Sequence, residues 1–537
     1  MALFSLATAI LAFALSGLTT AHPTCKSTTF KHLTLKDIQV LHLNVTAMRK
    51  VQVTLTATQV GFGPGGSTGD RTAEIDYCRI ALQYMHPGQH DTVNTYIGLP
   101  MFESAWNNRF LMNGGGGWRA GDDTVILAPV AAGFASSSTD GGHNITTPTA
   151  QWGLVSEGNV NWPALQDFSS VALDEAATLG KMAANIYFGS LPKFSYWNGC
   201  STGGRQGHMM AQRYPKQFDG IVAGCPAINW QRFIPAEVWP VIVAQILDTR
   251  PPGCVLDAFK DAAIGACDEM DGVTDGIISD PSWCDFDPYS VVGQTVHCEN
   301  PKASIKITTK MASLVEEIWR GPTTRDGKFL WYGLQQDANM TLLLNTACTS
   351  PQDCKINPFS IAFDWVQVFL NKTRNPSFTL DGVTRREYER YFRESIRKYG
   401  SVIGTDDPDL TQFKNAGGKM ITWHGMQDPL IMPNGTVDYY KRVLEHDVNA
   451  ADFYRLFLAP GVGHCGGGVG FDPSGTVFDA IRDWVERDKE PEVLTGFGQA
   501  VGKKPQGKTR GVELCAYPKQ LRYNGPDPNK ASSFTCR

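Results

Sequence analysis

The segment that most restricts this chain is Gly199-Cys200-Ser201-Thr202-Gly203. It follows a short aromatic strand, Lys193 to Asn198, and precedes a helix beginning near Arg205. A serine between two glycines in that context marks a sharp strand-to-helix turn. The glycines let neighbouring backbones come close while the hydroxyl is pushed out above the sheet. The backbone N–H of Thr202, at the helix start, then points to where negative charge develops on an attacked carbonyl. A second donor belongs to an earlier loop. Asn113-Gly114-Gly115-Gly116-Gly117-Trp118 is the only glycine run before the turn, and Gly115 and Gly116 are the expected donors.

A serine hydroxyl needs a base, and the base needs an acid to orient it. In the α/β-hydrolase order the acid follows the serine and the histidine comes last. Three histidines lie in the downstream region where strand and helix signals resume. His464 sits among glycines after the strand Phe453 to Leu458, in a loop suited to a catalytic imidazole. His424, inside the strand Met420 to His424, reads as a structural histidine, and His446 falls in an exposed helical stretch. Asp428 lies just past that strand, 36 positions before His464, with room between them for one helix and one strand. The alternative for Asp428 is a turn aspartate capping the next helix. Cys200 precedes the serine and Cys465 follows the histidine. If Ser201 and His464 meet, these cysteines lie within the ~5.5–6 Å Cα separation that a disulfide needs.

Around these motifs, strand and helix patterns alternate up to about residue 228 and again from about 406, as in an α/β fold with a mostly parallel sheet. Between them, residues 229–405 are rich in Asp, Pro, Cys and amphipathic helix. That block reads as an inserted domain. Its stretch Cys267 to Pro281 places Asp268, Asp271 and Asp275 between glycines, an oxygen-donor set suited to a hard cation but without the EF-hand spacing.

Residues 1–21 carry an apolar run from Leu3 to Leu18 followed by small residues, as a cleaved secretory signal does. Export agrees with 13 cysteines and with sequons at Asn44, Asn144, Asn339, Asn371 and Asn434. No Cys-x-x-Cys occurs, which removes zinc ribbons and thioredoxin-like redox motifs. The odd cysteine count leaves a thiol over, and Cys225 in an apolar stretch is the candidate. A net charge of −5 offers no basic field for nucleic acid, and no later stretch is apolar enough to span a membrane.

Cys200-Ser201, Asp428 and His464-Cys465 together resemble the tannase and fungal feruloyl esterase family. Its hallmark is a Cys-Ser pair, an Asp and a His-Cys pair, with the two cysteines bridged. The likeness runs from the Gly114 loop to the C-terminal cysteines. It implies an α/β-hydrolase core (22–228 and 406–537) with a large inserted lid (229–405), and hydrolysis of phenolic esters, small or polysaccharide-linked. It implies Ser201, Asp428 and His464 as the triad. It also implies a structural calcium ion held by Asp268, Asp271, Asp275 and the carbonyls of Val273 and Ile277, with Cys267 and Cys284 bridged around it. Cys25, Cys78, Cys348, Cys354, Cys515 and Cys536 are assigned to further bridges, and the partners of Cys254 and Cys298 stay open. Feruloyl and galloyl esters both remain candidate substrates. A serine peptidase or acyltransferase would use the same triad, and a silent phenol-binding protein is the alternative of another class. No organic cofactor is expected.

Overall fold

The computed structural model describes residues 24–56, 71–501 and 509–537; the expected signal, residues 1–21, lies outside them. Nine strands form one sheet: β1 (Gln39–Leu55), β2 (Arg71–Met85), β3 (Val93–Pro100), β4 (Arg109–Asn113), β5 (Ala135–Thr139), β6 (Phe194–Cys200), β7 (Gly220–Gly224), β8 (Lys419–Gly425) and β9 (Tyr454–Ala459). Their order is β1-β2-β3-β5-β4-β6-β7-β8-β9. The first three strands and β5 pair antiparallel, and everything from β5 to β9 pairs parallel. The parallel strands are covered on both faces, so Ile221-Val222-Ala223 and Met420-Ile421 are continuous apolar runs with almost no exposed surface. Removing each such aliphatic side chain from water contributes about 1.5–3 kcal/mol. With helices α1 (Trp162–Ser169), α2 (Val171–Phe188) and α3 (Thr202–Arg213) packed on it, this is an α/β-hydrolase sheet.

No strand between residues 225 and 418 joins that sheet. The insertion contributes α4 (Trp230–Glu237), α5 (Trp239–Ile246), α6 (Gly253–Cys267), α7 (Thr309–Arg320) and α8 (Arg385–Ile403). It also carries two short hairpins, Thr295–Glu299 with Lys302–Lys306 and Asn345–Ser350 with Asp353–Asn357, which hydropathy alternation did not signal. Their strands have only five or six residues, and Cys348 and Cys354 are cross-strand partners as well as a disulfide. Cys254–Cys298 and Cys267–Cys284 staple the rest of the insertion, while Cys25–Cys78 and Cys515–Cys536 staple the core. The insertion does not form a closed core of its own. Its buried Trp239, Phe259, Leu314, Trp365 and Phe392 belong to one apolar cluster with Trp152, Leu165 and Phe168 of the first core segment. Among the described residues no helix is long and apolar enough to cross a membrane.

One buried ionic knot ties β2 to α1 and α2. His86 Nε2 lies 2.7 Å from Glu175 Oε1, Nδ1 bonds Asp91, and Asp167 Oδ1 is 3.8 Å away. The bond to Glu175 raises the His86 pKa to about 9, and burial raises Asp167 to about 8. The folded protein therefore retains protons that the unfolded chain loses. This stabilisation is complete at low pH and is lost as pH rises through these folded values. Between pH 6.5 and 8 both groups act in the same direction, so the melting temperature should fall across that interval. The double variant His86→Gln, Glu175→Gln should show a shallower fall by calorimetry over the same range.

Candidate active site

The turn at Ser201 is built by close approach. A Cβ on Gly199 would lie 2.6 Å from the Gly203 carbonyl carbon, and one on Gly114 would lie 2.5 Å from Gly203 Cα. Side chains at those positions would separate β6 from α3 and the glycine loop from both. Ser201 itself has φ 62° and ψ −124°, a strained conformation for a residue with a side chain and one that exposes the hydroxyl. Its N–H donates to Gly224 O at 3.0 Å, which ties the turn to β7.

Asp428 follows β8 and is fully buried. Its Oδ1 accepts the N–H groups of Leu430 at 2.9 Å and Ile431 at 3.0 Å. Its Oδ2 lies 2.8 Å from His464 Nδ1 and 3.1 Å from His424 Nε2. Burial pushes this carboxyl up, but the His464 charge and the bonds from both histidines outweigh it and hold the group far below the usual carboxylate range. His424 is thus structural, as its strand position suggests, but it also grips the acid. Its other nitrogen, Nδ1, is 2.9 Å from Thr436 Oγ1. The four-residue spacing from His424 to Asp428 was the available signal for that contact.

Cys200 and Cys465 are joined, with Cα atoms 5.8 Å apart, and clamp the residue before the serine to the residue after the histidine. Cys225 is free and buried beside them; its sulfur accepts the Cys465 N–H at 3.4 Å. Ser201, His464, the glycine run and Leu430 line one cavity of about 550 Å³.

The glycine run corrects one expectation. The Gly115 N–H donates to Gln206 Oε1 at 3.0 Å and the Gly116 N–H to Arg119 O at 3.0 Å, so neither is free to meet an oxyanion. Gly117, at φ 57°, has an N–H without an acceptor among the described residues, as does Thr202 at the first position of α3. Thr202 Oγ1 donates to Gly117 O at 2.8 Å and holds the two segments together. Gln206, whose Nε2 donates to Ala120 O at 3.0 Å, fixes the loop from α3. Buried Arg205 donates to the carbonyls of Phe168 and Ser169, which end α1. No motif signalled either role.

The acidic loop Asp268 to Asp280 is closed by Cys267–Cys284. Asp268 accepts the N–H groups of Asp275, Gly276 and Ile277. Asp271 bonds Val273 N and Ser279, and Asp275 pairs with buried Arg510. Burial raises Asp271, and raises Asp275 to about 6. Three carboxylates against one guanidinium leave two negative charges. The carbonyls of Val273 and Ile277 accept no hydrogen bond among the described residues. These oxygen donors are of the type a divalent hard cation takes, although the ligand atoms of Asp268, Asp271 and Asp275 do not all lie within 4.8 Å of one another. The loop also reaches the histidine segment, because a Cβ on Gly461 would lie 2.8 Å from Ile277 Cγ1.

Comparisons with known proteins agree with this geometry. Residues 78–537 match the family model described as "Tannase and feruloyl esterase". A "Probable feruloyl esterase" of Arthroderma benhamiae is 37% identical over 483 residues, 88% of each chain. A "Tannase" of Aspergillus oryzae is 26% identical over 518 residues, covering 87% of this chain and 85% of that one. The solved structure of a tannin acyl hydrolase from Aspergillus niger superposes with a TM-score of 0.84 at 25% identity over 96% of each chain. The chain belongs to the tannase and feruloyl esterase family and is a carboxylic ester hydrolase.

Proposed function

We propose that this protein is a secreted serine esterase that releases hydroxycinnamic acids, ferulic acid among them, from their esters through an acyl-enzyme. The observation that carries the reading is the 2.8 Å bond from buried Asp428 to His464, which lines the same cavity as Ser201. Ser201 Oγ attacks the ester carbonyl while His464 Nε2 takes its proton, and Asp428 holds the imidazole with Nδ1–H toward the carboxylate. The amides of Thr202 and Gly117 receive the oxyanion. Collapse of the tetrahedral intermediate expels the alcohol, protonated by His464. Water, deprotonated by the same imidazole, then releases the acid and restores Ser201. The feruloyl preference rests on the nearer relative, at 37% identity, against 26% for the tannase.

Secretion is supported by six disulfides and by the apolar N-terminal run. Asn44, Asn144, Asn339 and Asn434 are exposed and open to glycosylation. Asn371 is a poorer acceptor, because its amide donates to Val366 O and Tyr391 Oη, both at 3.0 Å. Calcium is assigned to Asp268, Asp271, Asp275, Val273 O and Ile277 O as a structural ion. When bound it neutralises the loop and stiffens the segment that packs against Gly461.

Ser201→Ala should lower kcat on methyl ferulate by on the order of 10⁶-fold with a melting temperature near wild type, and Asp428→Asn by about 10⁴-fold with a lower melting temperature, because it removes a buried anion held by two histidines. Unaltered turnover in either variant removes that residue from the mechanism. Parallel assays on methyl gallate decide between the two ester classes.

Removing the Cys200–Cys465 bridge tests whether it positions the base. It spans 265 positions, so the chain-entropy estimate of its stabilisation has an upper bound of about 5.5 kcal/mol. Cys200→Ala, Cys465→Ala should also lose about tenfold or more in kcat well below its own melting point, because the glycine-flanked His464 loop has no other covalent anchor. Full activity there would mean that packing alone holds His464.

Stripping calcium should lower the melting temperature. An ion at a hundredfold excess over Kd contributes about 2.7 kcal/mol. Asp271→Ala should imitate chelation. Identical melting of metal-free and calcium-loaded protein, with metal content measured by elemental analysis, would refute the assignment.

A further inference from the structure

Beside Ser201 the large cavity narrows into a recess of about 30 Å³ roofed by the insertion. Its walls are Trp230, Phe233 and Ile234 of α4 on one side and Leu430 and Ile431 on the other, with Gly117, Thr202 and His464 at the mouth. Apart from His464 at the mouth, one ionisable side chain faces this apolar space. Glu237, the last residue of α4, lines the recess, is 2% exposed, and has an Oε2 atom without a hydrogen-bond partner. No cation pairs with it among the described residues. Burial, and then the Asp428 charge, push its carboxyl well above the usual range and so favour the neutral form, which has one donor and one acceptor to offer.

A buried carboxyl oxygen left unpaired is destabilising unless something satisfies it. Everything else about the recess suits an aromatic ring. Three aromatic and five aliphatic side chains line it, Phe359, Ile361 and Ala227 among them, and it has room for the edge of a ring and one substituent rather than a whole substrate. The orientation follows from access. The alcohol half of a polysaccharide-linked ester must reach solvent, which the wide cavity permits. The acyl half is left for the closed end.

We infer that Glu237 is a specificity residue that seats the acyl ring of the substrate by hydrogen bonding to a ring hydroxyl at the end of the recess. This rests on the phenolic-ester reading above and deepens it. The carboxyl donates to, or accepts from, the phenolic oxygen, and a ring without a hydroxyl leaves it unpaired. Sites that hydrogen-bond a substrate hydroxyl reject the analogue lacking it far more strongly than apolar pockets reject a missing methylene.

The test compares kcat/KM for methyl 4-hydroxycinnamate and methyl cinnamate in the full chain, for wild type, Glu237→Leu and Glu237→Gln. Wild type should favour the hydroxylated ester by about tenfold or more. Glu237→Leu should bring the ratio close to one, and Glu237→Gln, which still donates and accepts, should retain a preference. Should the leucine variant fail to fold, Glu237→Met supplies the same comparison. A wild type with equal rates on both esters, or an apolar variant that keeps the full preference, overturns the inference. A wild type that hydrolyses neither ester overturns the phenolic-ester reading and this subsite with it.

Discussion

The contact among Gly114, Gly199 and Gly203 is the constraint on which the rest of the site depends. Three backbones meet there at distances that exclude a Cβ on Gly114 or Gly199 and leave little room for one on Gly203. Because they meet, the end of β6, the start of α3 and the glycine loop move as one body. The strain at Ser201 then has somewhere to be held: its N–H is bonded to β7, Gly203 N donates to Gly115 O at 3.1 Å, and Cys200 is tied to Cys465. A turn with φ 62° at a serine persists only when its surroundings over-determine it. Here the surroundings are backbone and disulfide rather than adjustable side chains.

The second organising element is electrostatic. Asp428 is an anion with no exposed surface, kept ionised by two backbone N–H groups and two histidines. That arrangement leaves room for one negative charge and no more. Cys225 and Glu237 lie close enough to feel it, and burial together with the Asp428 charge pushes both toward their neutral forms. The thiol therefore stays unreactive next to a disulfide it might otherwise exchange with, since exchange needs a thiolate. The same field that orients His464 makes Glu237 a neutral hydrogen-bonding group instead of a repelling one.

Much of this was legible in the sequence because it is local. The Gly-x-Ser-x-Gly turn, the loop aspartate after β8 and the glycine-flanked histidine each carry a short-range signature, and their order along the chain restricts the rest. The mistaken donors show where legibility ends. Gly115, Gly116 and Gly117 are chemically identical, and what separates them is which amides Gln206 and Arg119 have already engaged, 91 residues away in one case. Likewise the Cys254–Cys298 pairing and the role of Arg205 depend on where α6 and α1 pack, which no spacing reveals. The stretch that adds no strand to the sheet stood out as a change of texture, but its fusion with the core did not.

That fusion explains how a distant insertion bears on the chemistry. Trp118 ends the glycine loop, and its ring meets Trp152 at 5.5 Å and Phe168 at 5.6 Å from the core. From the insertion it meets Trp230 at 5.1 Å, Phe369 at 5.5 Å and Trp365 at 6.2 Å. Aromatic pairs at such separations contribute about 0.5–1.5 kcal/mol each beyond the area they bury. The residue next to the free Gly117 amide is therefore fixed by both parts of the molecule. Trp230, which fixes it from the insertion side, is also a wall of the acyl recess. A shift of α4 would alter ring recognition and oxyanion geometry together, so in this fold specificity and catalysis share one set of side chains.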